Sequence, residues 1–552
     1  MNKIQNWIYG RLPILLPILL TILLTGCSLL AACFVPALAV ADGASARTIV
    51  TQAIVSPEAS TTTGRRTALQ YCQSCHLFTE PTLLPRAVWR DTMLPRMGVR
   101  LGMHHLFPAY AERVFFGDSD EEKKLLADAG IFPSAPHVPE KEWLALTRYF
   151  LDNAPNEFPA EDPEIRRIER GLSTFVPRSW SLSRQPLTTL VRIDEVNQQV
   201  FFGDGGAMSL VSVSSKGKLT NELFTGSPPV DLTVSSAGLM ILAIGFQFPS
   251  DLPRGEMLRA NTLSHEPRFY PDHVLLEHLK RPVNATWADL TGDDLDDVLI
   301  SEFGHRIGAL TLYRAQRALS GITYHPEVLL PDAGAMATHI HDMDQDGRDD
   351  VVVVMGQHRE GVTILYNTES GFVPSWVVQL PPTHGAAHVD VVDFDQDGAL
   401  DLIVSNGDNG DYTPILKRHH GVRLYKNLRD GSFEERFFFP LNGAFKALAR
   451  DFDQDGDQDI AVIAMFADYE NHPEQGFVYL DNISTEETPL KFVARTLTDV
   501  SLGRWLTMDV GDLDGDGDLD IVLGSFAGLP HPRQDAWMAK GLPVLLLENR
   551  IQ

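Results

Sequence analysis

Short apolar segments alternate with polar turns along the chain from about residue 187 to its end. One repeated unit contains the apolar strand "HVDVV", a second strand "LDLIVSN", a third strand "GVRLYKN" and a more polar fourth strand "FEERFFF". Runs of this length that are rich in β-branched and aromatic residues predict β-strands. An acidic turn lies between the first two strands and recurs every 51 to 61 residues, starting at Asp289, Asp342, Asp393, Asp451 and Asp512. Four antiparallel strands repeated at such a period predict a β-propeller.

Two degenerate units precede the acidic turns, so the sequence predicts seven blades over residues 175–552. They read "TTLVRIDEVNQQVFFGDG" and "VDLTVSSAGLMILAIGF". The last unit stops at Gln552, one strand short. The segment "FVPRSWSL" at 175–182 resembles "FVPSWVV", the fourth strand of another unit. We expect it to complete the last blade and to close the ring, which leaves no open edge.

A helical pattern fills residues 64–160. The segments "GRRTALQYCQSCH", "PRAVWRDTMLPRMG" and "VPEKEWLALTRYFLDNAP" predict three helices, and the last has an apolar face and ends before Pro155. The predicted fold class is therefore multidomain, with a small all-α segment followed by the all-β propeller. The segment 155–171, "PNEFPAEDPEIRRIERG", has three prolines and few Gly or Ser, so the linker, placed at 161–174, is predicted to be a semi-rigid spacer that holds the helices beside the ring. A plain tether between independent domains is the alternative.

The first predicted helix runs into Cys72, Cys75 and His76, and so holds two of the four cysteines of the chain. The spacing Cys-x-x-Cys-His fits a c-type haem, with two thioether bonds and a proximal histidine ligand to the iron. A chance pair, a redox dithiol and half of a zinc site are alternatives. However, no cysteine follows to complete a zinc site, and a dithiol does not need the histidine. The motif and the helix order resemble class I cytochrome c, which implies one haem c and single-electron transfer.

The second iron ligand is less strongly indicated. A thioether sulfur is the usual partner in small cytochromes. Met97 is the preferred candidate, because the middle helix is expected to end there and the chain can turn at Gly98. The alternatives are Met93, Met103, His104 and His105.

The acidic turns predict calcium sites, because alternating oxygen ligands on a tight glycine turn suit Ca²⁺. EF-hands are excluded, since position 12 is apolar and strands flank each turn. Turns without an ion are the alternative, but carboxylates this crowded repel one another strongly. The predicted ligands of four full loops are Asp342, Asp344, Asp346, Asp350, Asp393, Asp395, Asp397, Asp401, Asp451, Asp453, Asp455, Asp459, Asp512, Asp514, Asp516 and Asp520. In a weaker fifth loop, where Thr291 replaces an aspartate, they are Asp289, Asp293 and Asp297.

These units resemble FG-GAP/VCBS repeats, the calcium-binding blades also found in integrin α-subunits. The segment "EFGHRIGALTLY" carries the Phe-Gly and Gly-Ala signature. The resemblance implies a propeller and bound calcium but no substrate.

One mouth of the predicted channel collects histidine and basic residues. In propellers, the starts of the first strands and the loops between second and third strands converge there. The residues predicted at this mouth are His305, His358, His384, His388, Lys446 and Arg504. His305 and His358 lie eight residues past the closing aspartates of their loops, so we expect them at equivalent positions in adjacent blades. The alternative is that exposed loops simply collect polar residues.

The first 41 residues predict an export signal, with basic residues before the apolar run 12–24. The segment "LLTGC" resembles a lipobox that would make Cys27 the lipidated first residue; cleavage after Ala41 is the alternative. Residues 42–63 are expected to be a flexible tether. This predicts a periplasmic or outer-membrane protein whose only membrane contact is the lipid. A net charge of −27 argues against a nucleic-acid partner.

The favoured function is single-electron transfer, with the propeller as a docking scaffold for a redox partner protein or a surface ligand. A second hypothesis is an enzyme whose channel mouth oxidises a small substrate and whose haem carries the electrons away. A third is adhesion to a matrix. The sequence indicates no catalytic residue and leaves open whether the protein is an enzyme.

Overall fold

The structure is a computed structural model that describes residues 57–114, 119–158, 167–261, 271, 273–319, 321–410 and 415–551. The expected export signal, with Cys27 and the cleavage point at Ala41, lies outside the described residues. No helix within these ranges is both long and apolar enough to cross a membrane.

The first described part of the chain is helical. Helix α1 (Pro57–Cys72) leads into the cysteine motif and begins inside the segment expected to be a flexible tether, so that expectation is wrong for residues 57–63. The predicted middle helix is built from three successive pieces, α2 (Arg86–Val88), a π-helical turn (Trp89–Met93) and α3 (Leu94–Arg100). Short 3₁₀ turns lie at Pro81–Leu83 and His104–Leu106.

Two helices were not predicted, α4 (Pro108–Val114) and α5 (Asp120–Asp128). The signal for α5 was present in the sequence, because Ser119 is followed three residues later by Glu122. The Ser119 side chain accepts a hydrogen bond from the Glu122 backbone N–H at 3.1 Å, which caps the first turn.

Helix α6 (Glu140–Asn153) buries Trp143, Leu146, Tyr149 and Phe150, as its apolar face predicts. It packs against α1, and Gly64 permits the close approach, because an added Cβ would lie 2.4 Å from the Ala145 carbonyl oxygen. A contiguous apolar core forms between these helices and the middle helix.

Two short strands, β1 (Glu169–Arg170) and β2 (Phe175–Ser179), precede seven sheets arranged as blades. Blades 1 to 3 contain β3 (Thr188–Asp194), β4 (Gln199–Asp204), β5 (Ser209–Ser214) and β6 (Leu219–Phe224); β7 (Pro229–Ser235), β8 (Gly238–Ala243), β9 (Gly255–Ala260) and β10 (His273–Leu279); β11 (Pro282–Ala288), β12 (Asp297–Glu302), β13 (Ala309–Ala318) and β14 (Gly321–Leu330). Each sheet is an antiparallel meander, as the repeat pattern predicts.

Blades 4 to 7 contain the acidic loops with the full aspartate pattern. Their strands are β15 (Ala335–His341), β16 (Asp350–Met355), β17 (Gly361–Thr368) and β18 (Gly371–Gln379); β19 (Ala386–Val392), β20 (Asp401–Asn406), β21 (Gly421–Asn427) and β22 (Phe433–Pro440); β23 (Ala444–Arg450), β24 (Asp459–Ala464), β25 (Phe477–Asn482) and β26 (Phe492–Thr496); β27 (Trp505–Gly511), β28 (Asp520–Ser525) and β29 (Val544–Asn549). A 3₁₀ turn (Pro473–Gly476) and helix α7 (Gln534–Lys540) lie in the last two blades.

The predicted seven-bladed propeller is confirmed, and β2 supplies its closing strand. Strand β2 pairs antiparallel with β29, from Phe175 opposite Asn549 to Ser179 opposite Leu545. It therefore becomes the fourth strand of blade 7, although it ends three residues earlier than expected. Strand β1, inside the segment expected to be a linker, pairs in parallel with β26 and adds a fifth strand to blade 6.

Phe175 anchors the closing strand in the core between blades 6 and 7. Its side chain is 2% exposed and lies edge-on to Phe452 and Tyr479, with ring centroids 5.6 and 5.5 Å apart. The closing strand is thus held both by backbone hydrogen bonds and by aromatic packing.

We predict that Phe175→Ala destabilises the propeller by about 3 to 5 kcal/mol, because it removes a buried aromatic side chain. The neighbouring Val176 points outward and is 36% exposed, so Val176→Ala is the matched control and should change stability by less than about 0.5 kcal/mol. Urea unfolding followed by tryptophan fluorescence measures both. Equal midpoints for the two variants would contradict the role assigned to this strand.

Candidate functional site

The cysteine motif lies where α1 ends. Cys72 is half-buried against the helical core, Cys75 is exposed, and both are free thiols. Nδ1 of His76 lies 2.8 Å from the Leu77 carbonyl oxygen. In the tautomer that makes this hydrogen bond, Nδ1 donates and Nε2 keeps its lone pair. A ring held this way is oriented for metal ligation through Nε2.

The protonation of Cys72 separates two of the hypotheses for this motif. Burial, followed by the charge of Cys75, raises the pKa of the Cys72 thiol to about 12. Redox-active dithiols need a lowered thiol pKa, so a catalytic disulfide exchange site is disfavoured. Two free cysteines followed by an oriented imidazole fit the donor set of a covalently attached haem.

The structural reason for choosing Met97 is wrong. Helix α3 continues through Gly98 to Arg100, and the chain turns instead at Gly102, whose φ is +79°. Met97 is partly buried against the helical core, and Met103 is fully buried in it. His104 offers a buried Nε2 that has no hydrogen-bond partner among the described residues. Met97 therefore stays a prediction, beside Met103 and His104.

The acidic loops bring carboxylates together in all four full copies. In each loop, three aspartates place one oxygen each within 4.8 Å of the others. The clusters are Asp342, Asp344 and Asp350; Asp393, Asp395 and Asp401; Asp451, Asp453 and Asp455; and Asp512, Asp514 and Asp516. Within the described part of the chain, the Asp289 loop forms no such cluster, in keeping with its weaker pattern.

The first aspartate and the glycine of each loop define the turn. Asp342 accepts the backbone N–H groups of Asp346 at 3.0 Å and Gly347 at 2.9 Å. Gly347 has a φ of +87°, which a residue with a Cβ adopts only with strain. The turn thus aims the next carboxylates toward one point.

The closing aspartate has a second role that the sequence analysis missed. Asp350 accepts the backbone N–H of Asn367 at 2.8 Å and that of Met343 at 2.9 Å, so it joins the loop to the end of the third strand. The same contact recurs in the other full loops. The backbone N–H of Asn427 donates to Asp401, that of Asn482 donates to Asp459, and that of Asn549 donates to Asp520. The signal was the asparagine that ends the third strand in every full repeat.

Burial raises the pKa of some carboxylates in and beside these loops. Burial raises the pKa of Asp459 to about 7 and that of Asp520 to about 7. Burial, and then the charges of Asp455 and Asp453, raise the pKa of Asp457 to about 6. A divalent cation would reverse this penalty, and the oxygen-only donor set fits Ca²⁺.

Glutamine side chains connect neighbouring loops. Gln345 Nε2 donates to the Gly398 carbonyl oxygen of the next blade at 2.9 Å, and Gln454 donates to that of Gly517 at 3.1 Å. Gln396 makes the equivalent bond to Gly456. The loops of blades 4 to 7 are therefore linked in a row.

In blades 5 to 7, the residue before the third-strand asparagine is charged. In blade 5 it is Lys426, whose ammonium contacts Asp395 and lies 2.9 Å from Asp397. In blades 6 and 7 it is Asp481 and Glu548. The loop of blade 5 is thus partly neutralised by the protein itself.

The first-strand starts and the loops between second and third strands meet at one end of the channel, as predicted. The Gly356 N–H donates to the Gly334 carbonyl at 2.7 Å, and Gly407 does the same to Gly385. These two contacts lie within blades 4 and 5, and the Gly334 N–H also joins the strand start of blade 4 to the Phe303 carbonyl in the loop of blade 3 at 3.0 Å.

Histidines gather in blade 5 and in the channel. His384 stacks on His419 with centroids 4.3 Å apart, and burial, followed by the charges of His419 and Arg423, lowers the pKa of His384 to about 2. The His388 ring lies 6.1 Å from that of His339. These imidazoles are neutral near pH 7 and provide lone pairs or N–H donors but no charge.

The two predicted basic side chains differ in their surroundings. Arg504 donates to the Met465 carbonyl at 3.0 Å and to the Leu529 carbonyl at 3.2 Å, so it holds loops together. Lys446, on the first strand of blade 6, is partly buried; burial lowers its pKa, and the charge of Asp509 opposes that shift.

His305 and His358 do not face an open mouth, because the helical segment lies against their loops. The charge of Arg100 on α3 contributes to lowering the pKa of both imidazoles, after burial as the larger cause in each. They thus occupy related positions, as expected, but at an internal interface.

Further contacts hold the helical segment on the propeller. Glu122 accepts hydrogen bonds from the Ser250 hydroxyl at 3.0 Å and from the Asp251 backbone N–H. Arg254 pairs with Glu121 at 2.9 Å, and Ile415 packs against the helical core. These contacts favour a docked pair over a plain tether.

The fold and its loops define the class of this protein, a seven-bladed β-propeller with FG-GAP repeats, which is the architecture of a binding scaffold. Residues 342–404 and 451–523 match the FG-GAP-like repeat family. A search among curated proteins finds no match to the chain.

Several solved structures are similar to this chain. Hydrazine synthase of Kuenenia stuttgartiensis is 13% identical, with a TM-score of 0.39, and the match covers 62% of this chain and 93% of that one. An inactive virginiamycin B lyase from Staphylococcus aureus is 12% identical, with a TM-score of 0.43 and coverages of 68% and 100%. A putative 6-phosphogluconolactonase from Bacteroides uniformis is 9% identical, with a TM-score of 0.39 and coverages of 56% and 85%. Similarities this low carry no information about the function of this chain.

We predict four bound calcium ions and a lower melting temperature in EGTA, because ligands that bind only the folded state stabilise it, by about 2.7 kcal/mol per site at a hundred times Kd. Asp453→Asn should lose one ion. Asp293→Asn, in the weak loop, is the control and should lose none. Elemental analysis and calorimetry measure both quantities. A melting temperature that is the same with and without EGTA would refute the calcium assignment.

We also predict that Lys426→Met tightens the calcium site of blade 5 by up to about fivefold, because it removes a competing cation worth up to about 1 kcal/mol. Lys124→Met removes the same charge from an exposed helix position and is the matched control. Isothermal titration with Ca²⁺ compares the two. Identical titrations would show that Lys426 does not compete with the ion.

Proposed function

We propose that this chain is an exported mono-haem c-type cytochrome that transfers single electrons, with its calcium-stabilised propeller as the scaffold that binds a redox partner protein or a surface ligand. The observation that carries the proposal is the oriented imidazole of His76 beside two free cysteines, in a helical segment that contacts the propeller. Residues 64–160 would form the haem domain, and a lipid at Cys27 would hold the protein in the periplasm or at the outer membrane.

Each residue of the motif has a defined task in this proposal. Cys72 and Cys75 would form the thioethers to a haem, and His76 would bind its iron through Nε2, because the hydrogen bond from Nδ1 to the Leu77 carbonyl leaves Nε2 unprotonated. A haem bound here supplies reversible one-electron chemistry. The helical core, in which the ring centroids of Trp89 and Phe150 lie 4.4 Å apart, provides an apolar surface beside Cys72.

The contacts between the helical segment and the propeller support a function in which the two parts act together. Because Glu122 and Phe132 contact loops of blades 2 and 3, an electron donor or acceptor bound on the propeller lies within the same folded unit as the motif. Electron transfer then needs no large domain movement.

A second candidate function is an oxidoreductase that uses the channel mouth. It is supported by the stacked pair His384 and His419, whose neutral rings could exchange hydrogen bonds with a small substrate and so orient it. Reduction of the haem by a small molecule, without any protein partner, would favour this function over electron relay alone.

We predict covalent haem in the full chain produced with a cytochrome c maturation system, measured as a pyridine haemochrome on denatured protein. Cys72→Ala and Cys75→Ala should each leave at most one thioether and shift the α-band to longer wavelength, and the double variant should lose covalent haem. Ser74→Ala, between the two cysteines, is the control and should keep both bonds. Wild-type protein without covalent haem would overturn the proposed function.

A further inference from the structure

Positive charge accumulates between the helical segment and blade 3. The guanidinium carbons of Arg100 on α3 and of Arg306, in the loop between β12 and β13, lie 5.5 and 5.9 Å from the ring centroid of the same residue, Phe132. Two like charges held around one ring repel each other. Asp251 is 3.3 Å from Arg306 and balances part of its charge. Within the described ranges, Arg100 forms no ion pair.

Further guanidinium groups surround the neighbouring imidazole. Burial, and then the charges of Arg306, Arg281, Arg96 and Arg100, lower the pKa of His305 to about 3. His305 is therefore neutral at physiological pH and adds no charge of its own. In a protein of net charge −27, a group of four guanidiniums at an internal interface is a local reversal of sign.

The loop of blade 5, which contacts the helical core through Ile415, contains another arginine. Arg418 has two inaccessible nitrogens, Nε and Nη2, that find no hydrogen-bond partner among the described residues. Ile415, in the same loop, packs against the helical core that includes Cys72. In blade 4, Nδ1 of His358 is also buried without a partner. Burying an unpaired polar group costs about 1 to 3 kcal/mol, and burying an unpaired charged group costs more. A bound group that accepts hydrogen bonds from these donors would remove that cost.

We infer that the interface between the helical segment and the loops of blades 3 to 5 is a binding site for a carboxylate, held by Arg100, Arg306 and Arg418. Guanidinium groups bind carboxylates through paired hydrogen bonds and lose less to desolvation than ammonium groups do. The carboxylate comes either from a free carboxylic acid or from the propionate groups of a haem attached at Cys72 and Cys75. The second source rests on the proposed function, and the first does not.

The test uses succinate as probe and the full chain made with and without haem maturation. In the haem-free chain, succinate should bind and raise the melting temperature, whereas uncharged succinamide should not. Arg100→Gln, Arg306→Gln and Arg418→Gln should each weaken succinate binding at least tenfold. Arg254→Gln is the matched control, because Arg254 lies at the same interface but already pairs with Glu121.

The haem-loaded chain distinguishes the two sources. Occupation by propionates predicts no succinate binding there, and a lower midpoint potential in the three variants than in Arg254→Gln, because removing a nearby cation favours the oxidised iron. A free acid as ligand predicts that succinate binds the loaded chain as well. Arg418→Lys keeps the positive charge, so it should retain part of the succinate affinity and part of the midpoint potential. It serves as a second variant in case Arg418→Gln does not fold. The inference is overturned if succinate does not bind the haem-free chain and the potentials of the variants match the control. If the chain never acquires haem, the proposed function is refuted. Succinate binding to the haem-free chain and its three variants then still tests the carboxylate site.

Discussion

Pairing of β2 with β29 is the constraint on which the rest of the structure depends. The chain contributes only three strands to blade 7 from its end, so the ring closes only when a strand from before blade 1 is added. Closure removes the free edges that open sheets expose. It also fixes the entry point of the chain, because β1 runs along blade 6 immediately before β2. The helical segment therefore starts from a defined place on the ring and does not swing from a free end.

Features that recur from repeat to repeat, including the closing strand, could be predicted from the sequence, whereas the individual contacts between the helical segment and the propeller could not. The acidic loops, the strand order and the closing strand follow from local patterns that recur, as does the buried face of α6. The turn expected at Gly98 failed because an added Cβ there would meet the Phe107 ring at 2.4 Å, so glycine serves close packing inside a helix. The charges of Arg96 and Arg100 that reach His305 come from some two hundred residues away, and no local sequence pattern predicts such a contact.

Charge is distributed unequally over the two faces of the ring. The first strands run from the channel mouth to the acidic loops, so the aspartate clusters occupy one face, and the loops that contact the helical segment occupy the other. Bound calcium would reduce the negative potential of the first face, while the arginines are shielded beneath the helices. A partner that approaches through long-range electrostatics thus meets a predominantly acidic surface, which favours a basic partner.

The row of glutamine bonds has a consequence for how the loops fill. Gln345, Gln396 and Gln454 each hold the glycine carbonyl of the next loop, and that glycine is the residue whose backbone shapes the ion site. An ion that orders one loop therefore fixes an anchor for its neighbour, and the second loop loses less conformational entropy when it binds. Occupancy should spread sequentially around this arc of the ring as a positively cooperative process, and the calcium concentration range over which the propeller rigidifies becomes narrower than independent sites would allow.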